Sequence, residues 1–287
     1  MNINKLICLI LFLVVMTGCQ TQNGENQIAF SRLSGDNWQL FTVRLDSKEL
    51  TQLTTSPSDK RYPFWSKLKN RLYYRNNNNQ AYFIDLSSNE EVRILNSLGM
   101  ISNIAVSPNE TQLLLVRFRT ELKDSSDLWL VPLEDQTSKR LTWDAGMQYD
   151  PCWSPDGNTI VYISGTGYQD NEIYSMNHNG KNRKQLTDNT ALELLPSFSP
   201  DGKTIAYTSD ITGNYDIWLM NANGTDQRQI THYSGLDTRP IWSPDGTKLL
   251  FVSDRSGQQQ LWIMHIDGSN ARQITVGLPS IDPTWKF

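Results

Sequence analysis

The residues of this 287-residue chain that invite chemistry are three His, three Cys and a recurring Ser-Pro-Asp-Gly. A serine hydrolase needs a nucleophile, a base and an acid that orients the base. The Gly-x-Ser-x-Gly elbow that would present such a serine is absent. Zinc needs ligands at a workable spacing, yet His178 and His265 fall at neighbouring points of the same third-to-fourth turn in different repeats, and His232 opens a different connection. Calcium would want an Asp-rich loop with fixed ligand positions, and none is present. Acidic groups from separate segments could still converge as the paired carboxylates of glycoside hydrolysis, with Asp150 and Asp282 the candidates. The expectation is a chain without catalytic residues, metal or cofactor.

Composition narrows the partners. The 26 Lys and Arg against 30 Asp and Glu leave a formal net charge of -4, with no basic excess to displace counterions from nucleic acid. Nine Trp, eleven Tyr and nine Phe are far too much apolar surface for a disordered chain. At the N-terminus a positive segment through Lys5 precedes an apolar run, Leu6 to Val15. Ten residues at about 1.5 Å each span about half a bilayer core, which fits a signal peptide rather than a membrane span. The following Met16-Thr17-Gly18-Cys19 resembles a bacterial lipobox, with Met where Leu is usual. That resemblance implies cleavage after Gly18, acyl chains on Cys19 and membrane anchoring. Gln20 is not the Asp of an inner-membrane retention signal, so the outer membrane, facing the periplasm, is expected. Cys152 then remains alone, a small apolar residue with no disulfide to form.

The chain repeats itself behind this address. Trp153-Ser-Pro-Asp-Gly157 recurs as Phe198-Ser-Pro-Asp-Gly202 and Trp242-Ser-Pro-Asp-Gly246, with weaker copies at Trp65, Val106 and Trp285. The steps between these anchors are 41, 47, 45, 44 and 43 residues. After each anchor comes an apolar run of strand character such as Ile160 to Ile163, then a strand centred on an aromatic (Phe41, Tyr82, Trp129, Tyr174, Trp218, Trp262). A last strand ends in Leu-Thr or Ile-Thr, as at Leu186-Thr187, with Ile94-Leu95 the exception. Pro and Gly set the turn at Ser-Pro-Asp-Gly, which makes Asp156, Asp201 and Asp245 turn formers. Asn179-Gly180, Asn223-Gly224 and Asp267-Gly268 read as tight hairpins. Four short antiparallel strands per repeat predict an all-β, six-bladed propeller over residues 27–287. The first copy lacks its innermost strand and the last Trp strand lacks its followers, so Ile281 to Lys286 should pair beside Gln27 and close the ring. Residues 1–18 are the expected signal and residues 19–26 a polar tether.

These units, with their Ile-Tyr/Trp-x-Met and Gln-Ile/Leu-Thr strands, resemble the TolB-type propeller repeat across essentially all of 27–287. The resemblance implies an envelope propeller that binds another protein; TolB itself binds the lipoprotein Pal and carries an N-terminal α/β domain, which is not expected here. Sialidases are six-bladed too, but their Ser-x-Asp-x-Gly-x-Thr-Trp box separates the Asp and Gly that are adjacent in this chain.

One face of such a disc carries the stereotyped turns. On the other, the spacing from second strand to third-strand aromatic varies: 13, 10, 16, 14, 13 and 13 residues. Variable connections mark where partners sit. The longest, Arg117 to Asp127, includes Arg119. Three residues before each anchor, at the expected channel mouth, stand Tyr62, Asn103, Asp150, Leu195, Arg239 and Asp282, with Arg61, Tyr149 and Asp237 close by. This mixed set is the expected grip for a loop of an envelope protein. A glycan-binding or glycan-cleaving propeller is the alternative, and a monomer is expected.

Overall fold

The apolar runs are four to eight residues long and end in Pro, Asp or Gly turns, a length that suits strands and not helices. The computed structural model describes residues 26–95, 101–119, 125–167 and 170–286, and contains among them six four-stranded antiparallel sheets and no helix. The signal residues, Cys19 and the charged residues Glu121, Lys123 and Asp124 lie outside the described residues. From the axis outward, blade 2 is Lys60–Trp65, Arg71–Asn76, Ala81–Asp85 and Glu90–Arg93. Blade 3 is Ile101–Val106, Gln112–Phe118, Ser126–Pro132 and Lys139–Arg140. Blade 4 is Met147–Trp153, Thr159–Gly165, Glu172–Asn177 and Lys184–Gln185, and blade 5 Glu193–Phe198, Thr204–Ser209, Asp216–Asn221 and Arg228–Gln229. Blade 6 is Asp237–Trp242, Lys248–Ser253, Gln260–His265 and Arg272–Gln273.

Blade 1 is built from both chain ends. Its innermost strand is Ser280–Trp285, followed by Gln27–Ser34, Asn37–Arg44 and Leu50–Gln52. Ile28 pairs with Trp285 and Arg32 with Ser280, and the Lys286 N–H donates to the Gln27 carbonyl at 2.9 Å. The expected closure is therefore present, and no blade is left with an open inner edge.

The second strands are buried on both faces. Ile160, Val161, Tyr162 and Ile163 are all buried, as are Leu113 to Val116 and Leu249 to Val252. The reason is that each sheet is sandwiched. Leu113 and Leu115 pack into the core shared by blades 2 and 3, while Leu114 and Val116 enter the core between blades 3 and 4. Alternation still assigns faces, but both faces are dry. Cys152 packs at the edge of the core between blades 4 and 5, where burial pushes its thiol pKa up. Two anchor indoles also tie blades together: Trp153 Nε1 donates to the Ala105 carbonyl at 3.3 Å and Trp242 Nε1 to the Ser197 carbonyl at 3.0 Å.

The turns behave as their residues dictate. Ser154 Oγ donates to Asp156 Oδ1 at 2.5 Å and accepts the Thr159 N–H, and the same bonds recur at Ser199 and Ser243. Hydrogen bonds led by the Ser154 hydroxyl hold the Asp156 carboxyl below its ordinary range. The Asn-Gly pairs sit in connections longer than two-residue hairpins, between strands that end at Asn177 and restart at Lys184, for example. Their Gly is required by the neighbouring blade: a Cβ on Gly224 (φ +91°) would stand 2.7 Å from the Leu186 carbonyl oxygen.

The Leu-Thr pairs lie just past the short fourth strands. Thr231 Oγ1 accepts the Ile217 N–H and donates to Asp216 Oδ1, both at 2.9 Å. Thr54, Thr142 and Thr275 repeat this with Gln39, Asp127 and Gln260. In these four blades the motif thus satisfies a buried donor and a buried acceptor at the start of the third strand.

Beneath the connection between blades 4 and 5, Asn189 bonds two buried carboxylates, its N–H to Glu172 Oε1 at 2.7 Å and its Nδ2 to Glu193 Oε1 at 2.8 Å. The second oxygen of each has no hydrogen-bond partner among the described residues. Burial, with repulsion from Glu172 and Asp210, pushes the Glu193 pKa up to about 7 from 4.5. Between those two values the folded chain holds a proton that the unfolded chain has released, so stability falls as pH rises through that window. Glu193→Gln should remove this loss: urea midpoints at pH 5 and pH 8 should separate for the parent chain and converge for the variant.

Candidate functional site

Every innermost strand carries one extra residue. The pairing register slips between Arg61 and Phe64, Ile101 and Ile104, Tyr149 and Cys152, Leu194 and Ser197, and Thr238 and Ile241, and in blade 1 between its first two strands. In five blades the bulged residue has positive φ, namely Tyr62 (56°), Asp150 (47°), Leu195 (53°), Arg239 (59°) and Asp282 (52°), and Pro follows it. In blade 3 the position is Asn103-Ile104. Left-handed backbone costs a side-chain-bearing residue about 1–2 kcal/mol, and the following Pro tolerates the missing ladder bond at a bulge. Together these six positions and the five prolines line a pocket of about 140 Å³ on the axis. The six residues that stand three places before the anchors, Tyr62, Asn103, Asp150, Leu195, Arg239 and Asp282, thus come together in one pocket.

Charge is concentrated on one side of this ring. Asp282 is buried, its side chain 1% exposed, and Arg61 Nε donates to its Oδ2 at 2.5 Å. Its Oδ1 stands 2.9 Å from Arg239 Nη1 as an ion pair lacking hydrogen-bond alignment. Burial works against the ionised form, but Arg239 and Arg61 outweigh it and hold the Asp282 carboxyl below its ordinary range. Across the pocket Asp150 accepts from Asn103 Nδ2 at 3.1 Å. Burial there wins over the pull of Arg239, and the Asp150 carboxyl is pushed up. The two candidate carboxylates thus share a site but not a protonation tendency.

Three other sequence candidates sit elsewhere. Arg119 clamps the buried Asp127 through two bonds of 2.7 Å, with Arg140 on the same carboxylate at 2.7 Å, and so braces the base of the long blade 3 connection. Asp237 is fully buried and takes Arg255 Nη2 at 2.5 Å, beneath an aromatic nest of Tyr233, Phe251 and Trp262. Tyr149 is wedged between the cores on either side of blade 4, where burial pushes its hydroxyl pKa up. Arg61 joins the ring through Asp282. Composition and spacing missed Arg75, which pairs with Arg61 in the strand ladder and stacks 5.1 Å from the Tyr62 ring centroid. Also unforeseen are exposed Trp143, Ile211, Val276 and Leu278, all in connections on the variable face.

The family model described as the TolB beta propeller domain matches residues 123–215 and 181–286. A TolB homologue from Chlorobium luteolum is 26% identical over 150 residues, which is 52% of this chain and 34% of that protein. The match therefore spans about a third of the relative's length. A solved TolB from Acinetobacter baumannii superposes with a TM-score of 0.79 at 21% identity, covering 92% of this chain and 67% of that one. A putative TolB from Agrobacterium tumefaciens gives 0.75 at 22% identity, covering 88% and 89%. At these identities the structural likeness speaks for the fold.

Removing the shared anion should destabilise the ring. Asp282→Asn leaves two guanidiniums facing each other, at a cost of about 3 kcal/mol for such a partly buried pair. Asp156→Asn, at an exposed turn, should change stability by less than about 1 kcal/mol. Chemical denaturation of both variants checks the contrast.

Proposed function

The chain belongs to the TolB beta propeller domain family, and on that premise we propose that it is a protein-binding platform of the bacterial envelope, without catalysis of its own. The supporting observation is the axial pocket: five strained, side-chain-bearing bulges converge on one charged ring, on the face where connections vary and large apolar side chains are exposed. Strain of this kind persists where the surroundings enforce it, and it gathers at clamps and binding sites. Trp143, Val276 and Leu278, exposed in connections on the same face, would supply apolar contact, and the ring would supply register.

The platform is held to the membrane, in this reading, by acyl chains on Cys19, with residues 20–26 as tether and the outer membrane's periplasmic side as the location. Two or more chains are needed for a lasting anchor.

One observation favours a second reading, a glycan-active site. Asp150 and Asp282 have their proton affinities driven apart, as an acid and its ionised partner would. The pairing of Asp282 argues against it, since its carboxylate is 1% exposed and engaged by Arg61 and Arg239.

Two experiments test the platform. Cys19→Ser should move the protein from the membrane fraction to the soluble fraction; retention on the membrane would refute the anchor. The charge reversal Arg239→Glu and the truncation Tyr62→Ala should each weaken capture of the envelope partner at least tenfold in pull-downs from cells. Undiminished capture by both variants, folded as judged by their unfolding curves, would remove this face from the function.

A further inference from the structure

We infer that the axial pocket receives a carboxylate, carried on an acidic segment of the protein partner. This rests on the reading of the propeller as a docking platform and specifies what docks. Three guanidinium carbons surround one ring: Arg61, Arg75 and Arg239 stand 5.3, 5.1 and 5.5 Å from the Tyr62 centroid. Among the described residues, Asp282 alone forms ion pairs with Arg61 and Arg239. Arg75 donates from Nη1 to Asn79 Oδ1, its buried Nε has no hydrogen-bond partner among the described residues, and burial lowers its pKa. Counting Asp150 as ionised, the cluster holds one uncompensated positive charge; with Asp150 protonated, it holds two. A basic side chain entering this ring meets like charge, whereas a carboxylate meets guanidiniums whose planar forks suit it. The enclosing Tyr62 ring and the five prolines lower the local dielectric and strengthen that attraction. A cavity of about 140 Å³ admits one such side chain, its stem against the prolines.

Asp150 tunes the site. The groups that face it are Arg239 of blade 6, Asn103 of blade 3, the Leu195 N–H of blade 5, Asp282 of blade 1 and its neighbour Tyr149. An incoming anion adds repulsion, so Asp150 takes up a proton on binding and affinity rises as pH falls. Asp150→Asn imitates the protonated side chain. It should bind more tightly at neutral pH and lose the pH dependence.

The test is calorimetric titration of the full chain in detergent with a Glu-rich hexapeptide, its Gln counterpart and its Lys counterpart. Each is made with a free and with an amidated C-terminus to separate side-chain from terminal carboxylates, and oligogalacturonate is titrated alongside. The Glu peptide should bind at least tenfold more tightly than the Gln peptide. Arg239→Gln should weaken it tenfold to a hundredfold, the range expected for hydrogen bonds to a charged group. Asp150→Asn, which leaves the Asp282 pairs intact, should strengthen it at least threefold at pH 7. Binding only with a free C-terminus would assign the terminal carboxylate and uphold the inference. Equal binding of the Gln peptide, preference for the Lys peptide, or binding of oligogalacturonate without the Glu peptide would overturn it. If the partner is still captured through this face but the Glu peptide does not compete, the carboxylate inference falls and the platform stands. If nothing is captured, the platform falls first.

Discussion

A strand that keeps strict alternation sends its side chains to the two faces of its sheet, and in a propeller both faces belong to neighbouring blades. The axis would then be lined with backbone and offer nothing to recognise. The single extra residue before each proline breaks the alternation and turns one side chain per blade toward the centre. Tyr62, Asp150, Leu195, Arg239 and Asp282 accept left-handed backbone to do so, although none is Gly or Asn. The rest of the fold has to be rigid enough to impose that geometry, and the dry cores on both sides of every blade provide the rigidity.

Closure serves the same end. With Ser280–Trp285 paired against Gln27–Ser34, Asp282 is brought from the C-terminal end of the chain to Arg61 and the Tyr62 N–H, 220 residues away in sequence for the latter. The charge ring therefore exists only in the closed wheel: its central anion comes from the strand that seals it. Folding and the candidate site are coupled through the same six residues.

Much of this was legible in the chain. Regular anchors from Trp65 to Trp285 fixed the blade count, and the missing first strand fixed the closure. The residues three places before each anchor converge on the axis because the bulge recurs at the same place in every copy. What spacing could not show was partnership. Arg119 and Asp237 are charged residues near variable connections, yet each is spent on a buried ion pair, with Asp127 and Arg255. Arg75 belongs to the ring through cross-strand pairing with Arg61, a relation that depends on register and the bulge. The Thr of the Leu-Thr pairs looked like a strand terminator and is instead a buried hydrogen-bond relay, which only the third strand's neighbouring side chain reveals.

In the proposed function, partners meet this propeller at the axial ring on its variable face. Photo-crosslinking in living cells tests it most directly, with a benzophenone amino acid placed at Tyr62 on the axis or at Leu68, exposed in a stereotyped turn on the opposite face. A discrete protein adduct is expected from position 62 and none from position 68. An adduct from position 68 with none from position 62 would contradict it.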